Sequence, residues 1–283
     1  AKRFDVDLKQ NPFSLYDSLG YFTPGAIFLY GLMAGYAHIE LSGNLLQQVT
    51  ATLSFDRAEL YIPFVLASYA IGHFLSFVSS ITVERYSIWA YGYPSKNLLG
   101  LQHPGYFSVT EKKIQRWIMR FVVGLILAPI ALIDWLWGSF AGLGKVYIKK
   151  LDPFLIQIIK RKVFRLVREH AELPDVDNYG RAVEHDFFRY VYHYAVENAP
   201  NHLPKMQNYV ALYGFLRTLT LISIMFFWGL IWHVADGMFS YMDAASLLMS
   251  SMLVTYVLYM GFIKFYRRFS LEALMAMAVT YKQ

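Results

Sequence analysis

The chain of 283 residues contains no cysteine, which excludes disulfide bonds, thiolate nucleophiles and cysteine-ligated metal sites. Charged residues are also scarce, at 16%, whereas hydrophobic residues make up 56% of the chain. An ordinary soluble domain carries more charge and less apolar surface. Phosphate-binding glycine loops and the usual hydrolase motifs are missing. We therefore expect an all-α integral membrane protein without a cofactor or metal, to which no catalytic residue is assigned.

Four apolar stretches are long enough to cross a membrane, and they occupy residues about 19–39, 60–82, 209–234 and 244–263. Each has the roughly 20 residues that about 30 Å of hydrocarbon requires. The loop after the first stretch holds one basic residue, Arg57, and the loop between the last two holds none. Basic residues favour the cytoplasmic side. We therefore expect cytoplasmic N- and C-termini in a protein of the cell (inner) membrane.

A fifth apolar segment, at about 117–143, has two interpretations. Its length allows it to span, but a fifth crossing would place many basic residues outside the cell. Pro129 interrupts the helical pattern in the middle of the segment, where its ring breaks the hydrogen-bond ladder. We therefore favour four transmembrane helices with a re-entrant or interfacial hairpin near Pro129, and we keep five helices as the alternative.

The charge distribution divides the chain into three parts. Residues 1–144 are predicted to form an N-terminal membrane part. Residues 145–208 form a basic helical cytoplasmic module, and residues 209–283 form a C-terminal helical hairpin with a cytoplasmic tail. Between positions 145 and 170, eight basic residues outnumber two acidic ones. The net charge of the whole chain is +6, so this short stretch dominates its electrostatics.

The pattern of this stretch predicts an amphipathic helix. Its apolar face is formed by Leu155, Ile159, Val163 and Leu166. The remaining surface carries basic residues that we expect to bind phosphate groups: Lys160, Arg161, Arg165 and Arg168. Two phosphate sources are open at this point. One is the anionic lipid of the bilayer, and the other is a cytoplasmic nucleotide or nucleic acid.

Small residues recur at helical spacing in the first two apolar stretches. Gly31 and Gly35 form a pair that lets two helices approach closely, and we assign them to contacts between subunits. Ser68, Gly72 and Ser76 follow at four-residue steps, so they share one face of the second helix. This face is either a tight seam between helices or a wall that contacts water.

The ionisable residues expected within the membrane are His73, Asp134 and Arg217, with His233 near its outer edge. A charge at that depth is costly unless a partner or water compensates it. We therefore predict that the first three of these residues, together with the Ser68–Ser76 face, line or gate a polar pathway. We also predict that Asp134 is paired with Arg217.

A few spans, polar intramembrane residues and a cytoplasmic module predict an ion channel built as a homo-oligomer, because four helices rarely enclose a pathway alone. This layout resembles membrane effectors of bacterial antiviral systems, in which a cytoplasmic signal opens a pore. The resemblance implies a role in antiviral defence. Two alternatives stay open. One is a membrane-bound enzyme acting on a lipid or phosphorylated carrier at the cytoplasmic leaflet, and the other is a scaffold that recruits a soluble protein partner.

Overall fold

The computed structural model describes residues 17–40, 58–101, 106, 114–138, 142, 148–170, 186–237 and 240–281. Of these residues, 90% are helical and none lies in a strand, so the predicted all-α class is confirmed. The chain divides into two compact units, residues 1–77 and 78–283, and the boundary falls inside a helix.

The described part of the first unit consists of a π-helical turn and two helices: Ser18–Phe22, α1 (Thr23–Glu40) and α2 (Ala58–Ser79), the last two residues of which belong to the second unit. Its helical segments meet backbone to backbone. A Cβ on Gly25 would lie 1.8 Å from the carbonyl oxygen of Ser68, and a Cβ on Gly72 would lie 1.8 Å from that of Tyr21. Any residue larger than glycine would clash here, so the two glycines set the distance between the helices.

The second unit continues from α2 through two π-helical turns and four short helices: Ser80–Glu84, α3 (Arg85–Tyr91), α4 (Pro94–Leu98), α5 (Ile114–Ile126), α6 (Ala128–Ile133) and Asp134–Gly138. Helix α3 ends at Gly92, whose φ of 79° lies in a region that glycine adopts without strain. The axes of α5 and α6 bend by 87° at Leu127. Pro129 lies in the first turn of α6, so the helix break expected near Pro129 is present.

Four further helices complete the second unit: α7 (Pro153–His170), α8 (Phe187–Asn198), α9 (Leu203–Ala235) and α10 (Tyr241–Thr280). Helices α9 and α10 pack along each other as a hairpin. The hydroxyl of Ser240 caps α10, because it accepts a hydrogen bond from the amide of Asp243 at 3.3 Å. With 33 and 40 residues, both helices exceed what the hydrocarbon requires.

One side of the elbow between α5 and α6 is covered by protein. Leu127 and Ile130 have no exposed surface, and α6 packs against α10. The indole nitrogen of Trp228 on α9 donates a hydrogen bond to the carbonyl oxygen of Ile126 at 2.8 Å. Irregular backbone is tolerated at membrane depth only when protein or water satisfies its polar groups, and Trp228 meets this need at the break.

Within the described residues, three helical segments are long and apolar enough to cross a membrane: Tyr61–Leu98, Leu203–Ala235 and Tyr241–Thr280. The bent pair of α5 and α6 would be a fourth if it forms one span. Three of the four firm predicted spans coincide with these segments. The predicted span at 19–39 does not. Helix α1 has 18 residues and includes Pro24 and Glu40, so the expected count of four or five was too high.

A separate core joins α7 and α8 to the last part of α10. Ile159, Val163 and Leu166 are fully buried there, so the predicted apolar face of α7 is confirmed. Its partners are protein side chains, including Leu274 and Met277 of α10, rather than lipid. The apolar tail predicted to follow the hairpin is therefore the last part of α10, which stays helical to Thr280. This core differs from the predicted module of residues 145–208, because it includes the end of α10. From here on, the basic module means α7, α8 and residues 264–281.

Candidate functional site

A buried ion pair joins the start of the second unit to α9. Arg217, which is 9% exposed, forms a salt bridge with Glu84 at the end of a π-helical turn. The Nε of Arg217 donates to the hydroxyl of Ser79 at 3.0 Å, and that hydroxyl lies 3.4 Å from the hydroxyl of Thr218. We call these four residues the arginine joint. A buried charge needs both an opposite charge and further hydrogen bonds, and the joint supplies them.

The carboxylate that pairs with Arg217 is thus Glu84, which corrects the predicted pairing of Arg217 with Asp134. Asp134 instead accepts a hydrogen bond from the hydroxyl of Tyr91 on α3. Glu84 was missed because it follows the predicted second span and was assigned to a loop. Its helical continuation through the π-helical turn brings it back against α9. Turns of this kind are frequent at functional sites.

Asp134 lies on the wall of a cavity of about 510 Å³ inside the angle between α5 and α6. Its wall is mainly apolar and aromatic, and it carries one acidic and one basic residue. The residues that line it include Tyr86, Tyr91, Tyr106, Arg120, Asp134 and Trp135. Ligand sites in proteins are commonly pockets of about 300–1,000 Å³ with apolar walls and a few polar groups. The cavity therefore has the dimensions and chemistry of a ligand site.

Arg120 is held at this cavity by its neighbours. One of its terminal nitrogens donates to the carbonyl oxygen of Tyr106, and the hydroxyl of Tyr106 donates back to the carbonyl oxygen of Arg120 at 2.7 Å. The guanidinium lies 5.3 Å from the ring centre of Trp89 and 6.0 Å from that of Tyr106. Contact with the aromatic rings holds the guanidinium group in place and leaves its positive charge unchanged. This aromatic contact is not visible in the sequence pattern, because Trp89 and Tyr106 lie 31 and 14 residues before Arg120 along the chain.

A further tyrosine lies close to Asp134 from the side of α10. Tyr259 is fully buried, and its ring centre lies 6.0 Å from that of Tyr86. Its hydroxyl has no hydrogen-bond partner among the described residues, although it lies within electrostatic reach of Asp134. Asp134 is therefore surrounded by phenol groups from α3 and α10. The apolar pattern of the sequence gives no sign that Tyr259 lies near Asp134, because the two residues are on different helices.

The other predicted pore residues belong to the first unit. His73 stacks on Tyr21 at a ring distance of 3.8 Å, and the edge of Tyr69 lies against it at 4.5 Å. Ser68 and Gly72 are buried in the close contact between α1 and α2, as a tight seam requires. Ser76 is partly buried. His73 thus has aromatic partners within its own unit, whereas Asp134 and Arg217 have separate partners in the second unit.

The glycine pair assigned to subunit contacts lies on α1. Gly35 is exposed, and a Cβ added to it would meet nothing within 4 Å among the described residues. Gly31 is partly exposed. The close contact within the described chain therefore uses Gly25 and Gly72 instead. The role of Gly31 and Gly35 between subunits stays a prediction.

Helix α7 presents its basic residues on the surface that its buried face leaves open. Arg161 and Arg168 are exposed, and Lys160 and Arg165 are partly exposed. Lys162 has another task, because its ammonium group donates to the carbonyl oxygens of Ala278 at 2.6 Å and Tyr281 at 3.0 Å. These carbonyls end α10 and lack partners within the helix. Lys162 thus clamps the end of α10 to α7.

Two more contacts hold the same region together. The hydroxyl of Tyr281 donates to the carboxylate of Glu169, and burial with this neighbour raises the pKa of Tyr281 to about 12. Glu272 of α10 lies 2.8 Å from both the ammonium of Lys205 and the ring nitrogen of His202, at the start of α9. These polar contacts, which the sequence pattern did not indicate, join α7 to the end of α10 and join α10 to the start of α9.

Comparisons of the chain with protein-family models, with curated proteins and with solved structures found no match in any of the three. The candidate function is therefore inferred from the residues themselves and from their contacts.

Proposed function

We propose that the chain is a subunit of an oligomeric channel or pore in the cell (inner) membrane, opened through the basic module on the cytoplasmic side. The distribution of basic residues supports this orientation, with both termini cytoplasmic. By its layout, the protein is proposed to act as a membrane effector in bacterial antiviral defence. The observation that carries the proposal is that one uninterrupted helix, α10, belongs both to a candidate span and to the basic module.

The length of α10 supports this coupling. Its 40 residues correspond to about 60 Å at 1.5 Å per residue, which is about twice the hydrocarbon thickness. The first part of α10 exposes large apolar side chains such as Met249, Leu253 and Val257, as a membrane helix does. The last part buries Leu274 and Met277 in the core with α7 and α8. A displacement of the module would therefore move the membrane part of the same helix.

The signal is proposed to be a phosphorylated cytoplasmic ligand that binds Lys160, Arg161, Arg165 and Arg168. The apolar face of α7 is covered by protein, so α7 does not need lipid to bury it. A phosphate bound to the open basic face would pull on α7, and Lys162 would pass this force to the end of α10. Arg267 adds a second link, because it donates to the carbonyl oxygen of Lys149 just before α7.

We propose that the arginine joint is the element on the membrane side that changes its state when the channel opens. It connects α9, the close neighbour of α10, to the extension of α2. An ion pair with complete hydrogen bonds forms a discrete arrangement, which is either made or broken. If α9 moved together with α10, the Arg217–Glu84 pair would break. The two buried charges would then need water to stabilise them. The closed state is therefore proposed to contain the Arg217–Glu84 pair.

Ion flux from liposomes that contain the purified protein tests the proposal. The probes are nucleoside triphosphates, cyclic nucleotides and short RNA on the side of the basic module. At least one should raise flux through the wild type, and the triple change Arg161→Gln, Arg165→Gln and Arg168→Gln should abolish the response. Arg189→Gln on α8 is the matched control, since Arg189 is also an exposed base but is paired with Asp186.

Glu84→Gln provides a test that needs no ligand. It leaves Arg217 without its opposite charge, so it should produce leak in the absence of any probe. If the wild type and Glu84→Gln are equally tight with every probe, the channel should be abandoned. Ligand binding without flux would then favour the scaffold. Conversion of a phospholipid by the purified protein would favour the membrane-bound enzyme.

The proposed oligomer is tested by native mass spectrometry. Gly35→Leu alters a surface that the described chain leaves open, so it should lower the oligomer fraction and leave the protomer stable. Gly72→Ala is the contrasting variant, because its Cβ would clash with the backbone of Tyr21 in the same chain. It should destabilise the protomer itself. An unchanged oligomer in Gly35→Leu would remove this glycine from the interface.

A further inference from the structure

The cavity beside Asp134 carries two opposite charges that do not neutralise each other within the described chain. Both Asp134 and Arg120 line it, but no ion pair joins them. The partners of both are neutral instead: Asp134 accepts from the phenol of Tyr91, and Arg120 donates to a backbone carbonyl and lies over the ring of Trp89. A cavity wall with a separated anion and cation is complementary to a ligand that carries both charges.

The surroundings of Asp134 suit an ammonium group. Tyr86, Tyr91 and Trp135 line the cavity together with Asp134, and the faces of aromatic rings attract organic cations. The hydrogen bond from Tyr91 stabilises the carboxylate without cancelling its charge. No Lys, Arg or His of the described residues forms a salt bridge with it. An ammonium group would supply the opposite charge that Arg217 receives from Glu84 elsewhere in the same unit.

The surroundings of Arg120 suit a phosphate. A guanidinium has five N–H donors, and the structure assigns one terminal nitrogen of Arg120 to the carbonyl oxygen of Tyr106. The planar group is held over Trp89, so its position is fixed in advance. Arginine binds phosphate through two parallel hydrogen bonds when its plane is fixed in this way. Arg120 therefore offers donors to an anionic oxygen within the cavity.

The rest of the cavity wall is apolar and continues onto exposed apolar surface. Leu125 and Leu132 line the cavity, yet they are 58% and 50% exposed, and Trp135 is 68% exposed. Phe121 also lines the cavity and is 57% exposed, and the earlier part of α5 adds the exposed side chains Trp117 and Ile118. An apolar surface of this extent is typical of contact with lipid. A ligand that enters from the lipid phase beside Leu125, Leu132 and Trp135 would thus pass apolar side chains before reaching the two charges.

We propose that the cavity binds a zwitterionic phospholipid, with its ammonium group at Asp134, its phosphate at Arg120 and its acyl chains along Leu125 and Leu132. The lipid would fill the elbow between α5 and α6 and lock the bent pair at its 87° angle. This site is independent of the proposed channel, because it requires neither ion flux nor a ligand on the basic module.

The test measures which lipids the purified full-length protein retains. The protein is exchanged into detergent with equal amounts of phosphatidylethanolamine, phosphatidylglycerol and diacylglycerol, and the bound lipid is counted by native mass spectrometry. We expect phosphatidylethanolamine to be retained about tenfold over phosphatidylglycerol, the difference expected for one charge-assisted contact. Diacylglycerol, which has neither charge, should be retained least. Equal retention of all three lipids would overturn the proposal.

Two variants separate the charges. Asp134→Asn should remove the preference for phosphatidylethanolamine over phosphatidylglycerol, and Arg120→Gln should weaken the retention of both phospholipids. Arg116→Gln, one turn earlier on α5 and exposed, is the matched control and should behave like the wild type. If Arg120→Gln leaves retention unchanged and dodecyltrimethylammonium competes as well as the phospholipid, the site binds a simple organic cation and the proposal is wrong.

One measurement needs no variant and covers the case in which Asp134→Asn does not fold. Phospholipids with brominated acyl chains quench nearby tryptophan fluorescence, and Trp135 lies on the cavity wall. In the wild type, brominated phosphatidylethanolamine should quench at a lower mole fraction than brominated phosphatidylglycerol, by about the same tenfold. Identical quenching curves for the two lipids would overturn the proposal.

Discussion

Arg217 and Asp134 both place a charge among apolar helices of the second unit, yet their surroundings differ. Arg217 has an opposite charge in Glu84 and a hydroxyl in Ser79, and 9% of its surface is exposed. Asp134 has a phenol in Tyr91 and a cavity of about 510 Å³ beside it. The first charge is compensated by the protein itself. The second is left to be compensated by something that enters the cavity.

This difference separates structural roles from binding roles. A charge that the fold compensates holds helices together, and its loss is felt as lost stability. A charge that the fold leaves uncompensated costs stability and is retained for another reason, which we propose to be a ligand. Four predictions test this contrast, in order of decreasing effect on stability.

Removing one partner of the arginine joint should have the largest effect. Arg217→Gln leaves Glu84 buried without its cation, so we expect a loss of about 3–5 kcal/mol in the free energy of unfolding. Unfolding in mixed detergent micelles, followed by circular dichroism, measures it. The double variant Glu84→Gln with Arg217→Gln should lose less than the sum of the two single changes. Additive losses would mean that the two side chains do not act as a pair.

Removing the clamp on α10 should cost less. Lys162→Met keeps the length of the side chain but loses its hydrogen bonds to the carbonyl oxygens of Ala278 and Tyr281. We expect a loss of about 1–3 kcal/mol, confined to the basic module. Hydrogen exchange should show faster exchange at the end of α10 and unchanged exchange in its membrane part. Loss of protection along the whole helix would contradict a local clamp.

Neutralising Asp134 should change stability little in lipid-free detergent. In Asp134→Asn the amide oxygen can still accept the hydrogen bond from Tyr91, and the cost of a partly buried charge disappears. We expect a change within about 1 kcal/mol of the wild type. Added phosphatidylethanolamine should raise the Tm of the wild type and not that of the variant. A loss as large as that of Arg217→Gln would assign Asp134 a structural role as well.

An exposed pair gives the smallest effect and calibrates the others. Arg189 and Asp186 form a salt bridge of 3.0 Å on α8, but their side chains are 83% and 65% exposed. Water screens such a pair, so Arg189→Gln should change stability by less than about 0.5 kcal/mol. The same micelle unfolding experiment measures it. A larger loss would show that this position contacts more than its partner.

Much of the architecture could be predicted, because apolar pattern is a local property. The spans at 60–82, 209–234 and 244–263 coincide with candidate membrane helices. The buried face of α7 was identified from the spacing of Ile159, Val163 and Leu166, and all three are fully buried. The predicted span at 19–39 is not among the candidate membrane helices, although α1 ends at Glu40, close to the predicted end.

The partners of charged residues could not be predicted in the same way. Arg217 was correctly placed within an apolar helix, but its partner Glu84 lies 133 residues away. The position of Glu84 against α9 depends on the π-helical turn that it ends. Arg120 and Tyr106 likewise lie 14 residues apart, and the apolar pattern of the sequence does not show that they meet. Such contacts depend on the relative rotation of helices, which a change of one residue in helical phase would alter by about 100°.

What the sequence by itself determined is which segments avoid water and where the positive charge lies, since hydropathy and charge are properties of residues and their near neighbours. What only the tertiary structure decided is which charge is neutralised. It joined Glu84 to Arg217 and left Asp134 facing a cavity, and it turned an apolar tail into the end of α10. The physical reason is that burial and charge compensation are set by helices packed in space, and residues far apart in the chain become neighbours only there.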